Sequence, residues 1–146
     1  MMGDLLRDKD WSKTELGSVE TWSQSLLTVV SVIMSSTFPM ALWWGPQSIK
    51  LYNDGYIPMT GEKHPALYGA RAKGHWGEIW DVLGPAIDSV MNGASTYHED
   101  KCLMMRRYGF LEVLYITMSL TLGNLFYLGF YSCEGRNWEC WWSSCS

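Results

Sequence analysis

Among its 146 residues the chain has no CxxC pair, no glycine-rich phosphate loop, no HExxH and no GxSxG. Those absences remove the usual signatures of paired-thiol redox chemistry, nucleotide-phosphate binding, zinc proteolysis and the exposed serine nucleophile. Internal repeats and low-complexity tracts are missing as well. Basic residues are in the minority, 11 Lys and Arg against 15 Asp and Glu, for a net charge of -4. The one basic cluster, Arg106-Arg107 with Lys101 nearby, is too small for the electrostatic footprint of a nucleic-acid binder. No nucleic-acid partner is expected.

Histidine is scarce too, with three in all. His64, His75 and His98 lie far apart, and Asp88, Glu99 and Asp100 are scattered carboxylates that solvated faces explain better than acid–base roles. His98 beside Glu99-Asp100 reads as solvated strand, not as a metal site. Of the four cysteines, Cys133, Cys140 and Cys145 crowd the end of the chain, but their spacing matches no common zinc pattern. Residues 1–10 are polar and charged, a frayed lead-in with no secretory signal, so a cytoplasmic protein with reduced thiols is expected. No cofactor is required by the sequence.

Charge is absent from two long runs, residues 23–49 and 113–133, each long enough to span a bilayer as a helix. Pro39 and Gly45-Pro46 break the first. The second carries Thr117, Ser119, Thr121, Gly123 and Asn124, and its first half alternates. Membrane association is therefore not the expected state, and a spanning helix over 113–133 stands as the alternative.

The remaining composition is that of a globular domain, 47% hydrophobic and 18% charged. Ser12 and Glu15 match a capping box, although Gly17 limits it to one turn. An amphipathic helix is predicted after an N-cap at Ser18, running to about Ser35 and burying Trp22, Leu26, Val29 or Val30, and Ile33. A β-hairpin follows: strand 38–44, a Gly45-Pro46 turn, then strand 49–53 with Ile49, Leu51 and Asn53 on one face and Lys50 and Tyr52 on the other. Residues 55–61 make a short helical turn ended by glycine, and 62–74 a punctuated connector containing His64-Pro65. Asp81 is placed as the cap of a helix burying Val82, Ile87, Val90 and Met91, stopped by Gly93. The period then changes: strand 96–105, a turn through Gly109, and strand 111–122, apolar on both faces as a central strand should be.

Several segments in this order carry a resemblance. Asp10-Trp-Ser12, Leu16-Gly17 and Glu20-Thr-Trp-Ser-Gln-Ser-Leu26 are similar to the helix that precedes PAS domains of bacterial and fungal sensor histidine kinases. Phe38-Pro-Met-Ala-Leu-Trp-Trp-Gly-Pro46 and Leu51-Tyr-Asn-Asp54 resemble the first two strands of that family. Lys63-His-Pro-Ala66 with Gly69, then Trp76-Gly-Glu-Ile-Trp-Asp81 and Gly84-Pro85, resemble its connector and helices. Tyr108-Gly-Phe-Leu-Glu112 and Tyr115-Ile-Thr-Met-Ser119 resemble its later turn and strand.

The resemblance implies an α+β, two-layer fold: a PAS-like antiparallel sheet with short helices on one face and the amphipathic N-terminal helix outside. It divides the chain into a lead and helix (1–36), a sensor domain (37–122) and an atypical tail (123–146). It implies a sensory or regulatory role in two-component signalling, not an enzyme, with the kinase itself lacking. Relatives hold ligands between sheet and helices, which makes Trp44, Tyr52, Asn53, Tyr56, His64 and Trp80 the candidate lining of a small-molecule pocket, with core filling as the plain alternative reading of the rings. A homodimer through the N-terminal helix is the other expected partner, and a stand-alone dimerisation module the other alternative. The tail departs from the family: Trp138-Glu-Cys-Trp-Trp142 is odd wording, and its back-translation one nucleotide later gives a glycine-rich segment resembling the family's last strand. An out-of-frame tail is the expectation, with the family's final strand, which pairs beside the hairpin, lost; residues 125–131 are the candidate substitute.

Overall fold

The computed structural model describes residues 2–120 and 125–127. The polar opening is not frayed. It forms helix α1 (Met2–Asp8), with Met2 fully buried and its backbone N–H donating to Asp54 Oδ1 at 2.9 Å. Met2, Leu5 and Leu6 recur at helical spacing and pack on the core, a stripe that the surrounding charges hide in the sequence. A single 3₁₀ turn (Trp11–Lys13) follows, and Trp11 is buried with its indole N–H on Leu6 O at 2.8 Å. Trp22 meets it edge-on at 5.1 Å and donates to Gly17 O at 2.9 Å.

The amphipathic helix starts later than Ser18. Residues Val19–Thr21 make a separate 3₁₀ turn and Trp22 is extended, so α2 (Gln24–Ser35) is capped by Ser23, whose Oγ accepts from Leu26 N at 3.2 Å. Leu26, Val30 and Ile33 form its buried stripe. Strands β1 (Met40–Trp44) and β2 (Ile49–Tyr52) pair antiparallel from Ala41↔Tyr52 to Trp44↔Ile49, with Gly45 at φ 72 in the turn. Next come α3 (Ile57–Thr60), α4 (Ala72–His75) and α5 (Trp80–Met91), then the long hairpin β3 (Thr96–Arg106) and β4 (Leu111–Leu120), and finally β5 (Leu125–Tyr127).

The five strands make one antiparallel sheet in the order β2-β1-β5-β4-β3. The tail thus supplies a strand: Phe126 pairs with Ala41 on one side and with Leu120 on the other. β4 lies inside the sheet, as its apolar faces imply, and residues 113–120 are strand and not part of a spanning helix. Among the described residues no helix is long and apolar enough to cross a membrane. The rest of the tail, including Cys133, Cys140, Cys145 and the segment expected to be out of frame, lies outside the described residues.

Every residue of β2 is buried because both faces and its open edge are covered. The connector closes the edge: Gly69 N donates to Lys50 O at 2.7 Å, Lys50 N to Ala70 O at 3.0 Å, and Ala72 N to Ser48 O at 3.0 Å. Asp81 does not cap α5; Ile79 holds that position, and Asp81 sits in the first turn where its charge faces the positive helix end. Leu83, Ala86, Ile87 and Val90 are buried while Met91, one residue beyond Val90, turns outward at 51% exposure.

Two contacts lock the layers. Asn53 continues the Leu51 face of β2, and its side chain binds four backbone groups. Oδ1 accepts from Met40 N at 3.1 Å, and Nδ2 lies 3.1 Å from Ile33 O, 3.1 Å from Ser36 O and 2.7 Å from Phe38 O. At the far end Arg107 forks onto Glu112 at 2.9 and 3.1 Å and donates to Pro58 O at 3.1 Å, tying the β3–β4 turn to α3. Gly61 makes that approach possible: it has φ 55, and a Cβ there would strike the Arg107 carbonyl.

Asn53→Ala strands buried backbone groups at the end of α2 and the start of β1, and is expected to cost about 3–5 kcal/mol in urea unfolding. Gly61→Ala combines backbone strain with a clash and is expected to cost about 2–4 kcal/mol in the same assay. An unchanged midpoint in either variant contradicts the role given to that residue.

Candidate functional site

Strand alternation sets the chemistry of the β2 face opposite α2. Lys50 and Tyr52 point the same way, and the register places Trp43 across from Lys50. The segment from the end of β2 to α5 then folds Tyr56, His64, Tyr68 and Trp76 over them. Lys50 is fully buried and its Nζ donates to Tyr56 Oη at 2.6 Å. The same nitrogen lies 4.0 Å from the centroid of the Trp43 ring, 4.5 Å from that of Tyr56 and 5.3 Å from that of Trp76. This is a cation–π cage around an amine.

Burial pushes Lys50 well below the ordinary lysine range. Ring faces favour the charged form by about 2 kcal/mol when desolvated. Removing an ammonium from water costs several kcal/mol, so burial wins. The same burial drives the Tyr56 and Tyr52 phenols upward, with the neighbouring tyrosines adding to it, so both stay protonated at neutral pH.

Tyr52 Oη and His64 Nδ1 are 2.8 Å apart. Burial lowers His64, and the charge of Asp54 opposes that shift. Both groups are therefore neutral at pH 7, and the imidazole tautomer sets which of them donates in this bond. Tyr52 also packs against Tyr56 at 5.4 Å and, edge-on, against Tyr68 at 5.1 Å and His64 at 5.8 Å. Half-buried His64 carries this cluster to the surface. On the outer side of Trp76, Lys63 Nζ sits 4.6 Å from the ring centroid and donates to Glu78 Oε1 at 2.8 Å and to Arg106 O. Burial alone would raise Glu78, but hydrogen bonds from Lys63 and the Arg106 amide leave it below the usual carboxylate value.

Of the six residues the sequence offers as pocket lining, Tyr52, Tyr56 and His64 are brought together. Asn53 is buried on the opposite face and its amide is committed to the backbone. Trp44 shares that opposite face by alternation and is half-buried. Trp80 opens α5 with its indole against Gly84, where an added Cβ would come within 2.9 Å of Nε1. Sequence reasoning omits Lys50 and Tyr68. A lysine between Ile49 and Leu51 looks like a solvated position, and only the Trp43 register partner hints otherwise. Tyr68 lies in the connector, where no periodicity marks a buried face.

The arrangement is a buried aromatic cluster holding one amine and a neutral Tyr–His pair. Among the described residues no group of three His, Cys, Asp or Glu is placed to hold a metal ion.

Because the Lys50 pKa is depressed in the folded state, the unfolded chain binds this proton first as pH falls below lysine's ordinary value of 10.5. Stability contributed through Lys50 therefore rises as pH climbs from 7 toward 10. The raised tyrosines act with opposite sign, but only above about pH 10. In urea titrations between pH 7 and 9, wild type should gain on Lys50→Met by up to about 1.4 kcal/mol per pH unit. A pH-independent difference would show that the folded chain keeps Lys50 charged.

No protein-family model matches this chain, and neither a curated protein nor a solved structure does so.

Proposed function

We propose that the chain is a PAS-like sensory or regulatory domain of two-component signalling, binding a small molecule or partner and relaying the event through its packing. The carrying observation is the position of the last strand. In the resembling family the final strand pairs beside the first hairpin, and here β5 lies against β1 within an antiparallel sheet of order β2-β1-β5-β4-β3. The helices between β2 and β3 supply the second layer, in keeping with that reading. The cluster on Tyr52 supports it too, because it joins the sheet to the connector by aromatic contacts and a hydrogen bond reaching the surface at His64.

Mechanistically, a ligand binding one packing of connector against sheet better than another shifts that equilibrium by its differential affinity. α2 is placed to transmit the shift. Its C-terminal carbonyls, Ile33 O and Ser36 O, are bonded to Asn53, the residue after Tyr52. Val32 on its outer side is 52% exposed, which supports a homodimer contact through this helix. The proposal assigns the domain no phosphoryl transfer of its own, and it places the domain in the cytoplasm.

Fusing the full chain to the dimerisation and catalytic domains of a histidine kinase tests the reading. Autophosphorylation of the chimera should change several-fold between wild type and Tyr52→Phe, which removes only the hydroxyl bonded to His64. Equal rates in both, with both chimeras folded, would sink the sensory role. Sedimentation of the full chain tests the contact through α2: Val32→Glu should shift a dimer to monomer, and a wild type that is monomeric throughout counts against it.

A further inference from the structure

The other side chains of the cluster are buried, Lys50 and Tyr52 completely, whereas His64 stands half-buried at its rim. His64 Nδ1 is the hydrogen-bond partner of Tyr52 Oη among the described residues. The phenol hydrogen is therefore satisfied only while Nδ1 offers a lone pair. A protonated imidazole carries hydrogen on both nitrogens and offers none. One proton taken up at His64 thus leaves a buried phenol hydrogen without an acceptor, which native interiors rarely tolerate.

His64 is also tied to the stretch of connector that closes the sheet edge. Leu67 N donates to Lys63 O at 2.8 Å and Tyr68 N to Pro65 O at 3.0 Å, so consecutive turns link His64 to Gly69. From there Gly69 N and Ala72 N bond Lys50 O and Ser48 O. We propose that His64 is a proton switch, whose protonation breaks the Tyr52 bond and releases the connector from the β2 edge. The inference rests on the reading of the domain as a sensor and names the event it registers, acidification.

The groups around His64 set the direction. Tyr52 faces it from β2, and the charge of Asp54 acts on it from the turn after that strand. Lys50, Tyr56 and Tyr68 stand behind Tyr52. Within the connector, Lys63 is bonded to Glu78 and Arg106 O, and Glu62 lies beside Gly109. Burial lowers His64 from the ordinary 6.5, and Asp54 opposes that shift. The released connector therefore takes the proton first as pH falls. The closed arrangement loses stability below about pH 6.5, until it titrates as well.

Hydrogen exchange of the Gly69 and Ala72 amides in the full chain, expressed as protection factors from pH 7.5 to 5.5, tests the switch. Protection in wild type should fall several-fold, with about tenfold per pH unit as the bound for one proton. His64→Asn, whose side-chain oxygen can accept from the phenol but takes up no proton, should keep its protection. Asp54→Asn retains an oxygen for the Met2 amide and removes the charge, so its fall should run deeper and continue to lower pH. An equal fall in His64→Asn, or no fall in wild type, overturns the proposal. Should His64→Asn not fold, an unchanged fall in Asp54→Asn overturns it. A kinase chimera that responds to Tyr52→Phe while protection ignores pH removes the proton and leaves the sensor reading intact. Protection that follows pH, with wild-type and His64→Asn chimeras showing the same pH profile of autophosphorylation, has the reverse meaning: the switch stands and the sensory role falls.

Discussion

The side-chain amide of Asn53 is the contact through which the first half of the molecule is held. Four backbone groups converge on it, from the last turn of α2, the extended link after it and the first residue of β1. Asparagine is the fitting residue because its oxygen accepts from Met40 N while its nitrogen faces three carbonyls, which a carboxylate would repel. The Asn53 amide N–H completes the pair by donating to Met40 O at 3.2 Å. With that junction fixed, the helix crosses one face of the hairpin and the Lys50–Tyr52 face is left to the connector.

Everything on that second face follows from covering a strand whose inward positions are polar at their tips. Lys50 cannot reach water, so its amine is caged by Trp43, Tyr56 and Trp76. Tyr52 reaches His64 and meets Tyr68 through its ring. The connector that delivers these rings also pairs with the β2 edge from Gly69 to Ala72, so edge protection and cluster construction are one event. At the opposite end Arg107, forked onto Glu112, donates to Pro58 O, while Lys63 and Glu78, paired with each other, both bond the Arg106 backbone, and these contacts fasten the long β3–β4 hairpin to α3 and the connector. Both pairs are largely screened from solvent, which gives them more weight than surface pairs carry.

Much of the fold was legible because period and punctuation agree in most segments. The stripe Leu26, Val30, Ile33 marks α2, alternation marks β4, and Gly45, Gly61, Gly93 and Gly109 all take positive φ where an element stops. The misses have local causes. α1 was hidden by the charges around its apolar stripe, Asp4, Arg7 and Asp8, and Ser18 was preferred over Ser23 because both are good caps and only the extended Trp22 separates the structure's choice from the other. Of the site, Tyr52, Tyr56 and His64 could be read from aromatic density around a turn. Lys50 could not, since its burial depends on Trp43 and Trp76, one across the sheet and the other far along the chain.

By itself the sequence determined most of the local elements: which stretches from α2 onward are helix or strand, where the hairpins turn, and which residues alternate onto a common face. These depend on neighbours within a few positions, and short-range periodicity records them. Tertiary structure alone decided that Leu125–Tyr127 enters the sheet between β1 and β4, that Asn53 belongs to the backbone junction, and that Lys50 lies in an aromatic cage. Those outcomes join residues distant in the chain, and burial and hydrogen-bond satisfaction, which set them, exist only once the layers have met.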